Sequence, residues 1–403
     1  MGAGVRKCAS KSRRRFLSEH GAAPAGPLDN PLHARALEGL SGEDLSIYQQ
    51  ARALLDAGFR AEHLAFVDIS LTGQGVFEAL LGRSWAIRFN DPQEMISAAR
   101  AAVHVAETFD PEEHGARQVA DLRSRAEGEL ANACRAADDL LQAQRGFGRA
   151  YALFDQGTGD PHLKARLFDL ESSLLGTLRQ YALALERLKT VSHLYRELGE
   201  THLAGRALIT RGLYASYSGD LKLAVESTEA GLEEIDGQRD PRLFMNAKHN
   251  QLLFLVDDER PYQAKRVLFE SRQNLIYQDR MASLRLRGIE GRIFYGLGEL
   301  LSAEIAFREV KAGMEGVEMS FHAAITSLDL AAVLLRQGRA EEAEVEVIAA
   351  GLIFRSKQIF LEYLGSIIYL EECFERRSIT PEVIDATVKY LRAQEVDALG
   401  RRR

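Results

Sequence analysis

The sequence feature that most constrains the fold is an alanine that recurs about every 40 residues. The copies, separated by 41, 40, 40, 39 and 40 residues, are Ala143, Ala184, Ala224, Ala264, Ala303 and Ala343. A small residue stands twelve positions before this alanine in all copies but one, and a larger or β-branched residue stands four positions after it. Small residues at fixed points let two helices approach closely, and the bulky residue fills the groove between them. The period therefore predicts a solenoid of helix pairs, each burying its apolar face against its neighbours.

Turn and cap residues divide each copy into two helices. Gly219-Asp220, Gly298-Glu299 and Gly338-Arg339 lie between the two helices of three copies, where glycine supplies the left-handed residue that ends a helix. Asp-Pro pairs, such as Asp160-Pro161 and Asp240-Pro241, stand where other helices are expected to begin. Aspartate caps the free amides there, and proline suits the first helical position.

This pattern resembles the tetratricopeptide repeat, in which a Leu-Gly/Ala pair, an aromatic residue, Gly-Asp and two alanines recur at fixed offsets. The best match is Leu130-Ala131 followed by Ala143, Phe147 and Ala150. Two departures are the missing early tryptophan and a period longer than the usual length of about 34 residues. The resemblance is to long-repeat arrays of bacterial regulators and signalling scaffolds. It implies an all-α, right-handed superhelical solenoid of antiparallel helix pairs.

Four segments are predicted along the chain. A disordered basic leader covers residues 1–31, an N-terminal helical segment or cap 32–90, the repeat array 91–356, and a degenerate terminal repeat with a capping helix 357–403. The leader spells a twin-arginine pattern, but no apolar stretch follows it, which argues against export. A helix-turn-helix DNA reader in the second segment is an alternative, although a basic recognition helix is not evident there.

Composition excludes several classes of protein. A net charge of -7 argues against broad nucleic-acid binding, and no apolar run is long enough for a transmembrane helix. Cys8, Cys134 and Cys373 form neither a disulfide framework nor a metal-binding spacing, which is typical of a cytoplasmic protein. The sequence contains no zinc-hydrolase, phosphate-loop or nucleophile-elbow motif. We therefore predict a protein that is not an enzyme and needs no cofactor or metal.

An arginine six positions before the small residue recurs in four copies, as Arg125, Arg166, Arg206 and Arg285. In the family that the chain resembles, this offset lies on the first helix, whose inner face lines a concave groove. A row of guanidinium groups there would bind carboxylates of a partner by bidentate hydrogen bonds. The alternative is that these arginines form ordinary surface ion pairs with acidic residues of adjacent helices.

Other residues also stand at groove-facing offsets. They are Asn132, Arg135, Tyr217, Asn246, His249, Arg292, Tyr295 and Arg336. Asparagine, arginine and tyrosine are suited to binding extended peptides. We therefore predict a non-enzymatic scaffold that binds a protein or peptide, with acidic groups, in the concave groove. The alternative is a signalling or transcription regulator in which the array senses a peptide or ligand and residues 32–90 act on a partner.

Overall fold

The computed structural model describes residues 31–67, 73–88, 90–271, 280–315, 320–356 and 361–401. All regular secondary structure in these ranges is helical. None of the described helices has both the length and the hydrophobicity that crossing a bilayer requires. Apart from its last residue, the predicted leader over residues 1–31 lies outside the described residues.

The helices follow one another with short connections. In chain order they are α1 (Pro31–Gly39), α2 (Gly42–Asp56), α3 (Ala61–Val67), α4 (Gln74–Ala86), α5 (Pro92–Glu107), α6 (Pro111–His114), α7 (Ala116–Ala136), α8 (Leu140–Phe154), α9 (Pro161–Thr177), α10 (Tyr181–Glu197), α11 (Thr201–Tyr217), α12 (Leu221–Glu234), α13 (Pro241–Asp257), α14 (Pro261–Ser271), α15 (Arg280–Gly296), α16 (Leu300–Glu315), α17 (Ser320–Arg336), α18 (Ala340–Ser356), α19 (Leu361–Glu375) and α20 (Pro381–Arg401).

The chain divides into two compact units, unit 1 (Met1–Ala247) and unit 2 (Lys248–Arg403). In unit 1, α4 packs with α5, α7 with α8, α9 with α10 and α11 with α12 as helix pairs. The second helix of a pair also packs against the first helix of the next, as α5 does on α7 and α10 on α11. The same arrangement extends towards the N-terminus, because α2 packs on α4 and α3 on α5.

In unit 2, α15 pairs with α16 and α17 pairs with α18, and α16 also packs on α17. The last two helices pack on different partners, because α19 contacts mainly α18 whereas α20 contacts mainly α17. Ile384, Val388 and Leu391 of α20 are buried in the same apolar cluster as Leu330 and Leu334 of α17. The final helix therefore covers apolar surface of α17.

The repeated residues make the contacts that the period predicts. All six repeat alanines are fully buried. A Cβ added to Gly212 would lie 2.3 Å from Oγ1 of Thr228, and one added to Gly291 would lie 2.7 Å from Cε1 of Phe307. The position twelve before the alanine thus faces the position four after it, and any larger residue there would push the two helices apart.

The turns between paired helices each need one residue in the left-handed region. Gly219, Gly298 and Gly338 occupy it with φ of 86°, 75° and 76°, whereas Asp138 and Arg179 occupy it with φ of 68° and 60°. Glycine adopts this conformation without steric penalty. At Asp138 and Arg179 the amide of the next residue hydrogen-bonds back to the helix, from Asp139 to the carbonyl of Cys134 and from Gln180 to that of Leu175.

The Asp-Pro pairs cap helices as the sequence predicts. The side chain of Asp91 accepts hydrogen bonds from the amides of Gln93 and Glu94, and that of Asp160 accepts one from the amide of His162. Each carboxylate satisfies amides that have no partner within the first turn of the helix. These caps fix where α5 and α9 begin.

Candidate functional site

Arg125, the first arginine of the predicted row, is buried between α7 and α4. Its Nη1 and Nη2 donate to Oε1 and Oε2 of Glu78 at 2.5 and 2.8 Å, and Nδ1 of His33 lies 2.8 Å from the same carboxylate. Burial alone would raise the pKa of Glu78, but the charge of Arg125 and the hydrogen bonds from His33 and Arg125 outweigh it. The pKa of Glu78 therefore lies below its ordinary value, and this carboxylate stays ionised.

The next two arginines repeat this pairing between successive first helices. Nε of Arg166 on α9 donates to Oε1 of Glu129 on α7 at 2.8 Å, and its guanidinium lies 4.3 Å from the ring centroid of Trp85. Nη2 of Arg206 on α11 donates to Asp169 on α9. Arg166 is 1% exposed and Arg206 is 8% exposed, so both guanidinium groups are enclosed between helices.

The geometry of these three arginines supports the ion-pair interpretation of the row, with one difference from the expectation. The pairs of Arg125, Arg166 and Arg206 are buried between helices and do not lie at the surface. Each arginine already binds a carboxylate of the chain itself. Arg285, the fourth member, is half-buried on α15 and also interacts with neighbouring residues.

A second group in unit 1, at the ends of α7 and α11, contains three predicted positions and two tyrosines that were not predicted. We call it the tyrosine–arginine cluster, and its members are Asn132, Arg135, Tyr181, Tyr214 and Tyr217. Asn132 and Arg135 lie in the last two turns of α7, Tyr181 is the first residue of α10, and Tyr217 ends α11. Because the helix pairs stack in register, these helix ends lie side by side.

Arg135 is held by a neutral partner. Its Nε and Nη2 both donate to Oδ1 of Asn132, at 3.0 and 2.9 Å, and Asn132 is itself buried. Among the described residues Arg135 forms no ion pair, and its Nη1 has no hydrogen-bond partner. Its charge lies in the last turn of α7, where the carbonyl end of the helix favours a cation. Arg135 therefore differs from the row of paired arginines in having no carboxylate within ion-pair distance among the described residues, although the charge of Asp138 acts on it from farther away.

The three tyrosines form one aromatic surface beside this cation. Their ring centroids are 6.1 Å apart for Tyr181 and Tyr214, 6.0 Å for Tyr181 and Tyr217, and 6.5 Å for Tyr214 and Tyr217. All three residues are half-buried. Rings with a polar edge suit contact with a partner chain.

Gly176 of α9 makes room for this arrangement. A Cβ on Gly176 would lie 2.1 Å from Cζ of Tyr214 and 2.3 Å from its hydroxyl oxygen. The phenol of Tyr214 therefore crosses α9 above Gly176 and comes within electrostatic range of Arg135 on α7. Gly176 occupies the repeat position that Arg135 occupies in the preceding copy, 41 residues earlier.

Electrostatics at the cluster favour an anionic ligand. Burial lowers the pKa of Arg135, although a guanidinium remains charged at neutral pH. Burial raises the pKa of Tyr214 to about 12, so its hydroxyl remains neutral. The carboxylate of Asp138 favours the charge of Arg135 without forming an ion pair, and this does not offset burial. A ligand that supplies a paired negative charge would therefore stabilise this cation.

In unit 2, three of the predicted groove residues are bonded to other residues of the same unit. Nη2 of Arg292 donates to Oδ1 of Asp257 at 2.6 Å, and the hydroxyl of Tyr295 donates to Oδ2 of Asp385 on α20 at 2.8 Å. The guanidinium of Arg336 stacks 4.0 Å from the Tyr295 ring centroid and lies 3.5 Å from the same Asp385 carboxylate. Burial raises the pKa of both Tyr295 and Asp385.

The remaining predicted positions join neither group by a described contact. Asn246 and His249 are half-buried on α13, and His249 interacts with neighbouring residues.

The sequence analysis named Asn132, Arg135 and Tyr217 of the tyrosine–arginine cluster, but it missed Tyr181 and Tyr214. The signal that could have found Tyr214 is Gly176, whose missing side chain opens the space that the ring occupies.

Comparisons with known proteins show the fold. No family model matches the sequence, and no curated protein matches it. The crystal structure of the apo form of RapI superposes with a TM-score of 0.59 at 12% identity, covering 90% of this chain and 98% of that one. RapI is a tetratricopeptide-like helical repeat protein. The prediction of an all-α solenoid of tetratricopeptide-like helix pairs is therefore confirmed.

Two further solved structures match less closely. A Rap protein complexed with competence and sporulation factor gives a TM-score of 0.46 at 13% identity, covering 80% of this chain and 88% of that one. BtubC from P. vanneervenii gives 0.33 at 13% identity, covering 67% and 94%. At these TM-scores neither superposition bears on the tyrosine–arginine cluster, whose function has to be argued from its own geometry.

Proposed function

We propose that the chain is a non-enzymatic, cytoplasmic scaffold that binds an acidic peptide segment of a partner protein at the tyrosine–arginine cluster. The observation that carries this proposal is the half-buried Arg135, which has no ion pair among the described residues. Within the proposal, residues 91–356 form the binding array, and residues 32–90 and 357–403 close its two ends.

Arg135 would take a carboxylate of the peptide. Asn132 holds Nε and Nη2 from one side, which fixes the plane of the guanidinium before a ligand arrives. A fixed guanidinium loses little side-chain entropy on binding and offers Nη1 and the second hydrogen of Nη2 to a carboxylate. Charge-assisted hydrogen bonds of this kind are roughly twice as strong as neutral ones.

The tyrosines would contact the rest of the peptide. Their rings provide rigid apolar area, and their hydroxyls can donate to and accept from a peptide backbone. Tyrosine and arginine are among the residues that contribute most to protein interfaces. The pairing of Arg125, Arg166 and Arg206 with carboxylates of the chain itself supports giving the carboxylate-binding role to Arg135.

The test uses an array of immobilised twelve-residue peptides that vary in acidic content, probed with the full chain. We expect retention on Asp- and Glu-rich peptides and its loss in Arg135→Glu, because the reversed charge repels the ligand. Arg145→Glu is the matched control, since Arg145 is exposed on α8 and the change in net charge is the same. Equal retention by wild type and Arg135→Glu, or no retention of acidic peptides, would refute the proposal.

A further inference from the structure

Helices α16, α18 and α19 of unit 2 present large apolar side chains to solvent. Six of them, exposed between 43% and 74%, form what we call the apolar ridge: Leu301, Ile305, Val345, Ile348, Leu352 and Ile368. They lie on α16, α18 and α19. On the corresponding helices α8 and α10 of unit 1, the large apolar residues with comparable exposure are Leu141 and Leu183. Apolar exposure is therefore concentrated in unit 2.

Two charge-assisted hydrogen bonds link the three helices that carry the ridge. Nζ of Lys311 on α16 donates to Oε2 of Glu346 on α18 at 2.7 Å, and Nη2 of Arg355 on α18 donates to Oε2 of Glu371 on α19 at 2.7 Å. These bonds link α16 to α18 and α18 to α19, and the six apolar residues on these helices are exposed. Exposed apolar patches of this kind mark interaction sites.

The size of the ridge suits a protein interface. Six large side chains that each expose on the order of 100 Å² give roughly 600 Å², the upper end of what a typical monomer exposes. A standard interface buries about 800 Å² on each partner, and its apolar centre is surrounded by a polar rim. The ridge with its flanking charged residues therefore approaches the area that a stable dimer needs.

The sequence of α18 indicates which partner fits. Val345, Ile348 and Leu352 stand at positions i, i+3 and i+7, the spacing of a helix–helix seam. Glu341 lies seven residues before Ile348 and Arg355 lies seven residues after it. In a second copy of α18 running antiparallel, with the two-fold axis at Ile348, each Glu341 would face Arg355 of the other copy. Glu341 has no ion pair within the described part of the chain. Because Nη2 of Arg355 is already bonded to Glu371, Glu341 would bind the other nitrogens of this guanidinium.

We propose that the chain forms a homodimer through an isologous, antiparallel contact of α18, with Leu301, Ile305 and Ile368 flanking the seam. An isologous contact uses the same patch on both copies, and the two-fold axis at Ile348 places Glu341 of one copy opposite Arg355 of the other. This proposal is independent of the tyrosine–arginine cluster, which belongs to unit 1.

The first test measures the dimer dissociation constant of the full chain by sedimentation equilibrium. We expect a dimer, and Ile348→Glu should raise its Kd at least about tenfold, since two carboxylates meet at the axis. Leu183→Glu is the matched control, because Leu183 is 59% exposed on α10 of unit 1, and it should leave Kd unchanged. A chain that stays monomeric at all concentrations overturns the proposal.

The second test uses the two-fold axis directly. A residue on the axis faces its own copy, so Ile348→Cys in a Cys8→Ser background should form a disulfide-linked dimer on oxidation. Cys134 and Cys373 are buried and do not compete. Leu183→Cys in the same background should remain monomeric. A dimer that forms without an Ile348→Cys cross-link, and whose Kd is unchanged by Ile348→Glu, also overturns the proposal.

Discussion

Replacing Glu78 with glutamine tests whether the buried arginine pairs stabilise the array. Glu78→Gln keeps the shape of the side chain but removes its charge, which leaves the guanidinium of Arg125, only 6% exposed, without an anion. Breaking one side of a buried pair costs about 3–5 kcal/mol. The glutamine oxygen can still accept one of the two hydrogen bonds from Arg125, so we expect a loss of about 3 kcal/mol.

The loss is measurable by thermal unfolding followed by circular dichroism. For a unit of this size, a change of 1 kcal/mol moves Tm by about 2–4 °C, so Glu78→Gln should lower the Tm by roughly 6–12 °C. The matched control is Glu186→Gln, because Glu186 is exposed on α10, and its effect should stay within about 0.5 kcal/mol. Equal melting temperatures for wild type and Glu78→Gln would show that the pair adds no net stability.

The pH dependence gives an independent check. The pKa of Glu78 is lowered on folding by Arg125 and His33 against the effect of burial. Its stabilisation is therefore complete above the unfolded pKa of about 4.3 and is lost as pH falls through the lower folded value. The difference in urea stability between wild type and Glu78→Gln should be constant near neutral pH and should narrow below about pH 4. A difference that persists unchanged in acid would refute this reasoning.

Two further substitutions test the tyrosine–arginine cluster. Gly176→Ala should displace the ring of Tyr214. We expect it to lower stability by about 1–3 kcal/mol and to weaken retention on acidic peptides. Gly148→Ala is the control, because the space at its Cβ is open, and it should change neither stability nor retention. Asn132→Asp should give Arg135 a carboxylate at the distances of the present hydrogen bonds. It should abolish peptide retention while the urea unfolding midpoint is kept or raised. Unchanged retention would show that the unpaired charge of Arg135 is not the basis of binding.

The fold was predictable from the sequence because each part of the repeat has one local cause. The repeat alanines, the turn residues and the Asp-Pro caps depend on backbone conformation and on packing within one helix pair. These constraints recur at each copy, and a single sequence of 403 residues contains enough copies to make them visible. The superposition on RapI confirms the resulting architecture.

The direction in which the arginines point was harder to predict, because it depends on contacts between neighbouring pairs. A helical offset places Arg166 and Arg206 on the first helices, but an arginine is long enough to reach either a groove or the adjacent helix. The sequence did contain the deciding signal, since each of these arginines lies 37 residues after its carboxylate partner. A recurring acid–arginine spacing near the repeat length predicts pairing between successive first helices.

The tyrosine–arginine cluster combines residues whose positions do not repeat, which is why the period could not reveal it. Tyr214 reaches the neighbourhood of Arg135 only because Gly176 lacks a side chain, and Tyr181 joins from the start of a second helix. Such a cluster depends on four helices at once, α7, α9, α10 and α11. Only the packed structure shows that these side chains share one surface.

The contrast between the two kinds of arginine in unit 1 indicates why one of them suits a binding role. Arg166 and Arg206 are neutralised by carboxylates of the preceding first helix, so a ligand would have to break an existing pair. Arg135 has a neutral amide in place of a carboxylate, and burial already disfavours its charge. An anion that binds there removes an existing penalty, and affinity increases by that amount. A carboxylate at position 132 would stabilise the free chain and remove this gain, which is the trade between stability and function expected of a binding site.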